Sequence, residues 1–226
     1  MDILEIISTR KSIRNYSVEP IPDALIDRIL EAARWAPTGE NHQPWRLIVI
    51  RNPATKKKIG ELAQIGTGTF MTTEYCMGRM SQFEGIRDER QRERVEKLMV
   101  TGEGSAFLGR APLIIAVCGR CSALDTPYDL SACIENMLLE AHSLGLGACW
   151  ANGPVAAIRN EIKMKELLGI PQGMGKWKLL AMVSFGWPER PRKHPRPKLP
   201  LKEIVYWEKF GERERHESTT PRTIPL

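Results

Sequence analysis

Residues 36 to 50, Ala36-Pro37-Thr38-Gly39-Glu40-Asn41-His42-Gln43-Pro44-Trp45-Arg46-Leu47-Ile48-Val49-Ile50, carry the reading that decides the fold. A proline-framed turn runs straight into an apolar, β-branched hexapeptide, so a loop is delivered to the head of a strand that reads as buried. The amide side chains of that turn suit the edge of a heteroaromatic ring bearing both donors and acceptors. Upstream lies Arg10-Lys11-Ser12-Ile13-Arg14, whose cationic forks and hydroxyl are what a phosphate needs. Neither piece decides alone. Three basic residues in five also describe a solvated helix face, and Pro-Thr-Gly-Glu-Asn also describes a plain helix-ending turn. Their order tells more, because an amphipathic helix between them would hold both in fixed relation. It begins near Pro22-Asp23 with Asp23 as its cap, and shows Leu25, Ile26, Ile29, Leu30 and Ala33 on one face. It stops by Ala36, because the residue before Pro37 is pushed out of helical geometry.

Working outward, Ile3 to Ser8 reads as a first helix, and Ile13 to Val18 as extended chain. Beyond Asn52-Pro53 a helix is expected from about Ala54 to Ala63, then a flexible turn at Gly66-Thr67-Gly68-Thr69. Arg87 to Val100 reads as a charged helix that is solvent-facing or an arm against a partner. Ala111 to Cys118 is a strand, Tyr128 to Leu144 a long helix stopped by Gly145, and Gly147 to Trp150 a short strand. Asn152-Gly153-Pro154 turns the chain into a helix through Leu168, and Lys178 to Gly186 is a further strong strand. Prolines then recur from Pro188 to Pro200, which forbids regular structure there, and the chain resumes at Leu201 to Phe210. Strands separated by helices predict a three-layer α and β fold around one sheet.

At 226 residues the chain is long enough for a full core and short enough for one domain. No apolar run approaches the roughly 20 residues that span a bilayer, and no signal peptide is read at the N-terminus. A cytoplasmic enzyme fits this best. The net charge of +6 comes without an arginine-rich arm interleaved with aromatics, so it is read as attraction for an anionic ligand rather than for nucleic acid. Five cysteines at irregular spacing make no disulfide framework. Cys118-Gly119-Arg120-Cys121 lacks a second ligand pair, so it reads as a buried strand-end thiol and a nearby loop thiol. His42, His142, His194 and His216 lack metal-ligand spacing, so no metal is expected.

Five stretches taken in order resemble the nitroreductase family of FMN-dependent NAD(P)H oxidoreductases. They are Thr9-Arg10-Lys11-Ser12-Ile13-Arg14; Ala36-Pro37-Thr38-Gly39 through Asn41, Gln43, Pro44 and Trp45; Gly145-Leu146-Gly147-Ala148-Cys149-Trp150; Gly186-Trp187-Pro188; and Arg196-Pro197-Lys198-Leu199-Pro200-Leu201. The resemblance covers most of the chain, residues 64–110 least. It implies an α+β nitroreductase fold: a central mixed, mainly antiparallel sheet flanked by helices, in an intertwined homodimer with FMN at each of two interface sites. Residues 1–226 would form one such domain, with 64–110 as a variable lid and 188–226 as an extended C-terminal tail.

The resemblance further implies that Arg10, Ser12, Arg196 and Lys198 hold the FMN phosphate, with Lys11 contributing through its backbone. It places Arg14 at the pyrimidine edge of the flavin, where a cation would stabilise the charge that reduction adds. Pro37, Thr38, Gly39 and Asn41, with Gln43 less directly, match the loop that meets the ring and ribityl chain, partly from the second protomer. Asn152 and Gly153 match the turn beside flavin N5. Trp45, Trp150 and Trp187 read as packing. With no G-x-G-x-x-G after a strand, NADH or NADPH would be a transient donor without a binding domain of its own. Nitroaromatics, quinones or related electron-poor small molecules would be the acceptors, reached by two alternating half-reactions. Reductive dehalogenation and flavin fragmentation are rival activities of the same fold, and a non-enzymatic module using the basic tail is a rival of another class.

Overall fold

Four runs of aliphatic and β-branched residues form the sheet: β1 (Trp45–Ile50), β2 (Leu113–Arg120), β3 (Gly147–Ala151) and β4 (Trp177–Gly186). Their order is β1-β2-β4-β3, and every neighbouring pair is antiparallel. A single parallel bridge from Ser12 to Ala148 extends the β3 edge, which makes the sheet mixed but mainly antiparallel, as expected. The structure, a computed structural model, describes residues 2–73, 88–121, 125–173, 176–190 and 198–213.

Along β2, Leu113, Ile115 and Val117 point to one face while Ile114, Ala116 and Cys118 point to the other, and all six are buried. Two hydrophobic layers follow from that alternation. The first holds α2 (Asp23–Arg34) and α5 (Thr126–Ser143), whose Ile26, Ile29, Leu130, Ile134 and Met137 face the sheet. The second holds α3 (Pro53–Thr72), a 3-10 segment (Glu103–Arg110) and α7 (Ile158–Leu167), through Ile59, Phe107, Leu108 and Met164. Among the described residues the remaining α-helices are α1 (Ile3–Thr9), α4 (Glu89–Val100), the one-turn α6 (Gly153–Ala156) and α8 (Leu201–Ile204). As its charges predict, α4 buries none of its residues.

The chain forms two compact units, Met1–Lys193 and His194–Leu226. Within the second, Trp207 N donates to Glu212 O at 2.7 Å, and the Tyr206 and Phe210 rings lie 4.5 Å apart. The described part of the expected stretch Leu201 to Phe210 is regular only over α8.

The structure corrects several local expectations. Pro22, not Asp23, occupies the cap position of α2, and Asp23 instead pairs with Arg51. The side-chain cap appears one helix later, where Asn52 Oδ1 accepts from Thr55 N at 3.0 Å. β1 was expected to be buried but is an edge strand, with Arg46 and Val49 exposed. The helix expected to end at Ala63 runs on through Gly66-Thr67-Gly68-Thr69 to Thr72. Those glycines serve close packing, since a Cβ on Gly66 would collide with Asn160 and Pro154, and one on Gly68 would stand 3.0 Å from Val100 O. The helix expected through Leu168 is broken at Ala157, which is extended at φ −79 and ψ 123. Gly145 and Gly169 do stop their helices with positive φ.

Candidate functional site

The basic turn is fixed by backbone contacts. Arg10 closes α1, its N–H donating to Ile6 O, and Ile13 N donates to Ala148 O at 2.9 Å. Ile13 fills the space over Gly147, where a Cβ would come within 2.8 Å of its Cγ2. Tyr16 locks the segment from beneath: its hydroxyl donates to Ile13 O and pairs with Ser184 Oγ at 2.7 Å. Burial raises the Tyr16 pKa, so it stays a neutral strut.

On this rigid segment the cations diverge. Arg10 turns toward α5, its Nε 3.4 Å from Glu135 Oε1, and that Nε is buried without a hydrogen-bond partner. Arg14 turns toward the other layer, its guanidinium 5.7 Å from the centre of the Phe107 ring. Lys11 and Ser12 are half-buried between them. Next to Arg10, His142 Nε2 lies 2.8 Å from Thr9 Oγ1. The Thr9 hydroxyl donates to Glu5 O, so the imidazole is the donor in this pair. Burial first, then Arg10 and Lys11, hold the His142 pKa down.

The Pro37 to Gln43 loop is exposed apart from a half-buried Thr38, and it is strained. Glu40, Asn41 and Gln43 have φ of 50, 57 and 48 degrees. Left-handed backbone suits asparagine but costs other residues on the order of 1 kcal/mol or more each. The loop is held by Gly39 N donating to Asp129 Oδ1 at 3.3 Å, Gln43 N to Thr38 Oγ1 at 3.3 Å, and Gln43 Nε2 to Asn41 Oδ1 at 3.1 Å. The anchor Asp129 and the partner Glu135 both sit on α5. Neither was singled out in the sequence, although both are polar positions on a helix whose other face is core.

Within one chain these two clusters stand apart. The loop is tied to Asp129, whereas Arg10 lies against Glu135 and Thr9 is tied to His142, six and thirteen residues along α5, about 9 and 20 Å. The sheet says the same. Trp45 aligns through Gly119 with Lys178 at one end of β4, whereas Ser12 aligns through Ala148 with Phe185, some 20 Å farther along that strand.

Asn152 is exposed at the mouth of α6 and Gly153 is half-buried behind it. Gly153 permits a close approach, but to Thr67, whose Oγ1 would lie 3.0 Å from an added Cβ. Lys198 is exposed in the second unit, and Arg196 lies outside the described residues. Trp45 is buried in the core, and Trp150 and Trp187 pack against it, as expected. Burial pushes the Cys118 thiol up to about 11, while Cys121 is exposed. Among the described residues no cluster of metal ligands occurs, and no helix is long and apolar enough to cross a membrane.

A family model described as the nitroreductase family matches residues 7–68 and 78–187, more than half of the chain. A relative from Methanothermobacter thermautotrophicus, provisionally named NADH dehydrogenase/NAD(P)H nitroreductase, is 32% identical over 193 residues, covering 83% of this chain and 78% of the relative. Rat iodotyrosine deiodinase 1 is 40% identical over 63 residues, covering 28% of this chain and 22% of the deiodinase. Among solved structures, a nitroreductase with bound FMN from Bacteroides fragilis superposes with a TM-score of 0.65 at 24% identity, covering 92% of this chain and all of that one.

Proposed function

The chain belongs to the nitroreductase family, and from that premise we propose that it is an FMN-dependent oxidoreductase that passes electrons from NADH or NADPH to nitroaromatics, quinones or related electron-poor acceptors. Bound FMN supplies hydride exchange in two alternating half-reactions. The residues present fit that group. The observation that carries the reading is the rigid Arg10 to Arg14 turn, with the Arg10 Nε buried and lacking a hydrogen-bond acceptor. A phosphate oxygen would satisfy that nitrogen, with Ser12 and the Lys11 backbone beside it; the resemblance assigns Arg196 and Lys198 to the same phosphate. Arg14 would hold its charge at the ring edge, and Asn152 and Gly153 would face N5.

The loop of Pro37, Thr38, Gly39, Asn41 and Gln43 would come from a second copy, because it leads into Trp45, level with Lys178 of β4, while Ser12 is level with Phe185, about 20 Å along that strand. A homodimer also accounts for α1, whose Ile3, Leu4 and Ile7 are 69%, 66% and 49% exposed. A two-fold arrangement would complete two such sites at once. The cytoplasm is the proposed location. Reductive dehalogenation is a second reading, supported by the segment shared with the rat deiodinase.

The test is spectroscopic. Purified protein titrated with FMN should bind it and give a flavin spectrum that NADH or NADPH bleaches and an acceptor restores. Comparing nitroaromatics, quinones and halogenated phenols as acceptors separates the two readings. Protein that binds no FMN would sink both.

A further inference from the structure

Beneath the Asn152-Gly153 turn lies a buried polar cluster built from three elements. Thr67 of α3 and Ser105 of the 3-10 segment, 2% and 8% exposed, join hydroxyl to hydroxyl at 2.7 Å. Asn160 of α7, 4% exposed, donates its amide to Leu62 O at 2.9 Å and to Pro154 O, the carbonyl at the start of α6. The amide oxygen of Asn160 is buried without a partner. Such an orphan calls for a reason, and here the amide is turned so that both its protons hold backbone. The cluster stands against the turn. Thr67 Oγ1 lies where it would be 3.0 Å from a Cβ on Gly153, and the Asn160 amide crosses so close to Gly66 that any side chain there would collide with it.

The Asn160 hydrogen bond reaches the turn itself and fixes direction as well as distance, while the Thr67 hydroxyl, held by Ser105, meets Gly153 by packing. We infer that Thr67, oriented by Ser105, is a positioning residue for the Gly153 backbone and through it for the flavin N5 environment, with Asn160 fixing the rotation of the same turn through Pro154. This rests on the proposed placement of Asn152 and Gly153 beside N5, and it assigns a role to Thr67, Ser105 and Asn160.

The experiment uses FMN-loaded protein and two readouts, the dissociation constant of FMN and that of the sulfite adduct formed at N5. Thr67→Val keeps the shape and removes the hydroxyl. It should change sulfite affinity by about fivefold or more, the worth of one hydrogen bond. FMN affinity should stay within about twofold, because the phosphate clamp lies elsewhere. Thr67→Ser should restore sulfite affinity. Where Thr67→Val does not fold, Gly153→Ala serves instead: its Cβ would press on Thr67, and adding Thr67→Ala should restore the sulfite affinity that Gly153→Ala alone loses. Unchanged sulfite affinity in Thr67→Val, or no recovery in the double variant, overturns the inference while leaving FMN binding intact. A wild-type protein that takes up no FMN overturns the functional reading and the inference with it.

Discussion

Arg10 is held where the protein alone does not satisfy it. Its Nε is buried, Glu135 stands 3.4 Å away without making a hydrogen bond, and the pair is partly exposed. Such a pair contributes little to stability, so the residue is better explained by an anionic ligand than by the fold. Arg10→Ala should therefore weaken FMN binding by about 10- to 150-fold, the factor for a lost charge-assisted contact of about 1.5 to 3 kcal/mol, with little change in Tm. An unchanged FMN dissociation constant would remove Arg10 from the clamp. The cysteines behave oppositely, as groups that matter to the fold and not to chemistry. Burial pushes Cys133 up to about 12 and Cys118 to about 11, and raises Cys149. A folded-state pKa above the unfolded one stabilises the protein below the unfolded value, near 9, and that contribution is lost as pH rises toward the folded value. Urea midpoints should thus fall between about pH 9 and pH 12, and Cys133→Ala should flatten the slope; the same slope in both proteins would show that these thiols do not govern it. Legibility differs in kind. The Arg10 cluster declares itself by charge density, and Cys133 by helical spacing with Leu130 and Met137. Thr67, Ser105 and Asn160 leave no such mark, because a buried polar residue looks like a loop residue until its partners are known.

At the scale of elements, α3 is the instructive case. A Gly-Thr-Gly-Thr run signals a turn by composition, yet it forms about one turn of helix because the neighbours leave no room for side chains. Gly60 packs on Gly109, where a Cβ would come within 2.8 Å of the Gly109 Cα, and Gly66 packs on Asn160 and Pro154. Glycine here serves as absence of volume, and that use is invisible without the facing surface. Gly66→Ala should cost about 3 kcal/mol, since the atoms it meets belong to backbone and to a doubly bonded amide. Gly169→Asn should cost only about 0.5 kcal/mol, because φ of +66 suits asparagine and nothing lies within 4 Å of the added Cβ. Urea denaturation of the two variants gives the comparison, and equal midpoints would refute the packing account of α3. Elsewhere local pattern sufficed. The apolar runs gave all four strands, and helical spacing gave α5 to within two residues at its start. β1 lies where its apolar run predicts but at an edge of the sheet, since an unbroken apolar run does not distinguish a central strand from an edge strand.

For the whole molecule, the decisive fact is that the sheet carries its two candidate half-sites at opposite corners. The sequence made both halves readable, because each is a short local motif, but not their separation, which depends on β1 and β3 being opposite edges and on α5 running the length of the sheet. On the proposed reading a ligand that meets both basic turn and loop joins two chains, and complementation measures this directly. One variant, Arg10→Ala with Ser12→Ala, damages only the turn; another, Thr38→Ala with Asn41→Ala, damages only the loop. If each site takes its turn from one copy and its loop from the other, a heterodimer of the two variants has one site with both halves damaged and one with both intact. Tagged heterodimers purified after co-expression should bind FMN at wild-type affinity with about one flavin per dimer, half the wild-type occupancy, while each variant homodimer binds weakly at both sites. Sites contained within single chains would give heterodimers with no high-affinity flavin at all, because every chain would carry one damaged half.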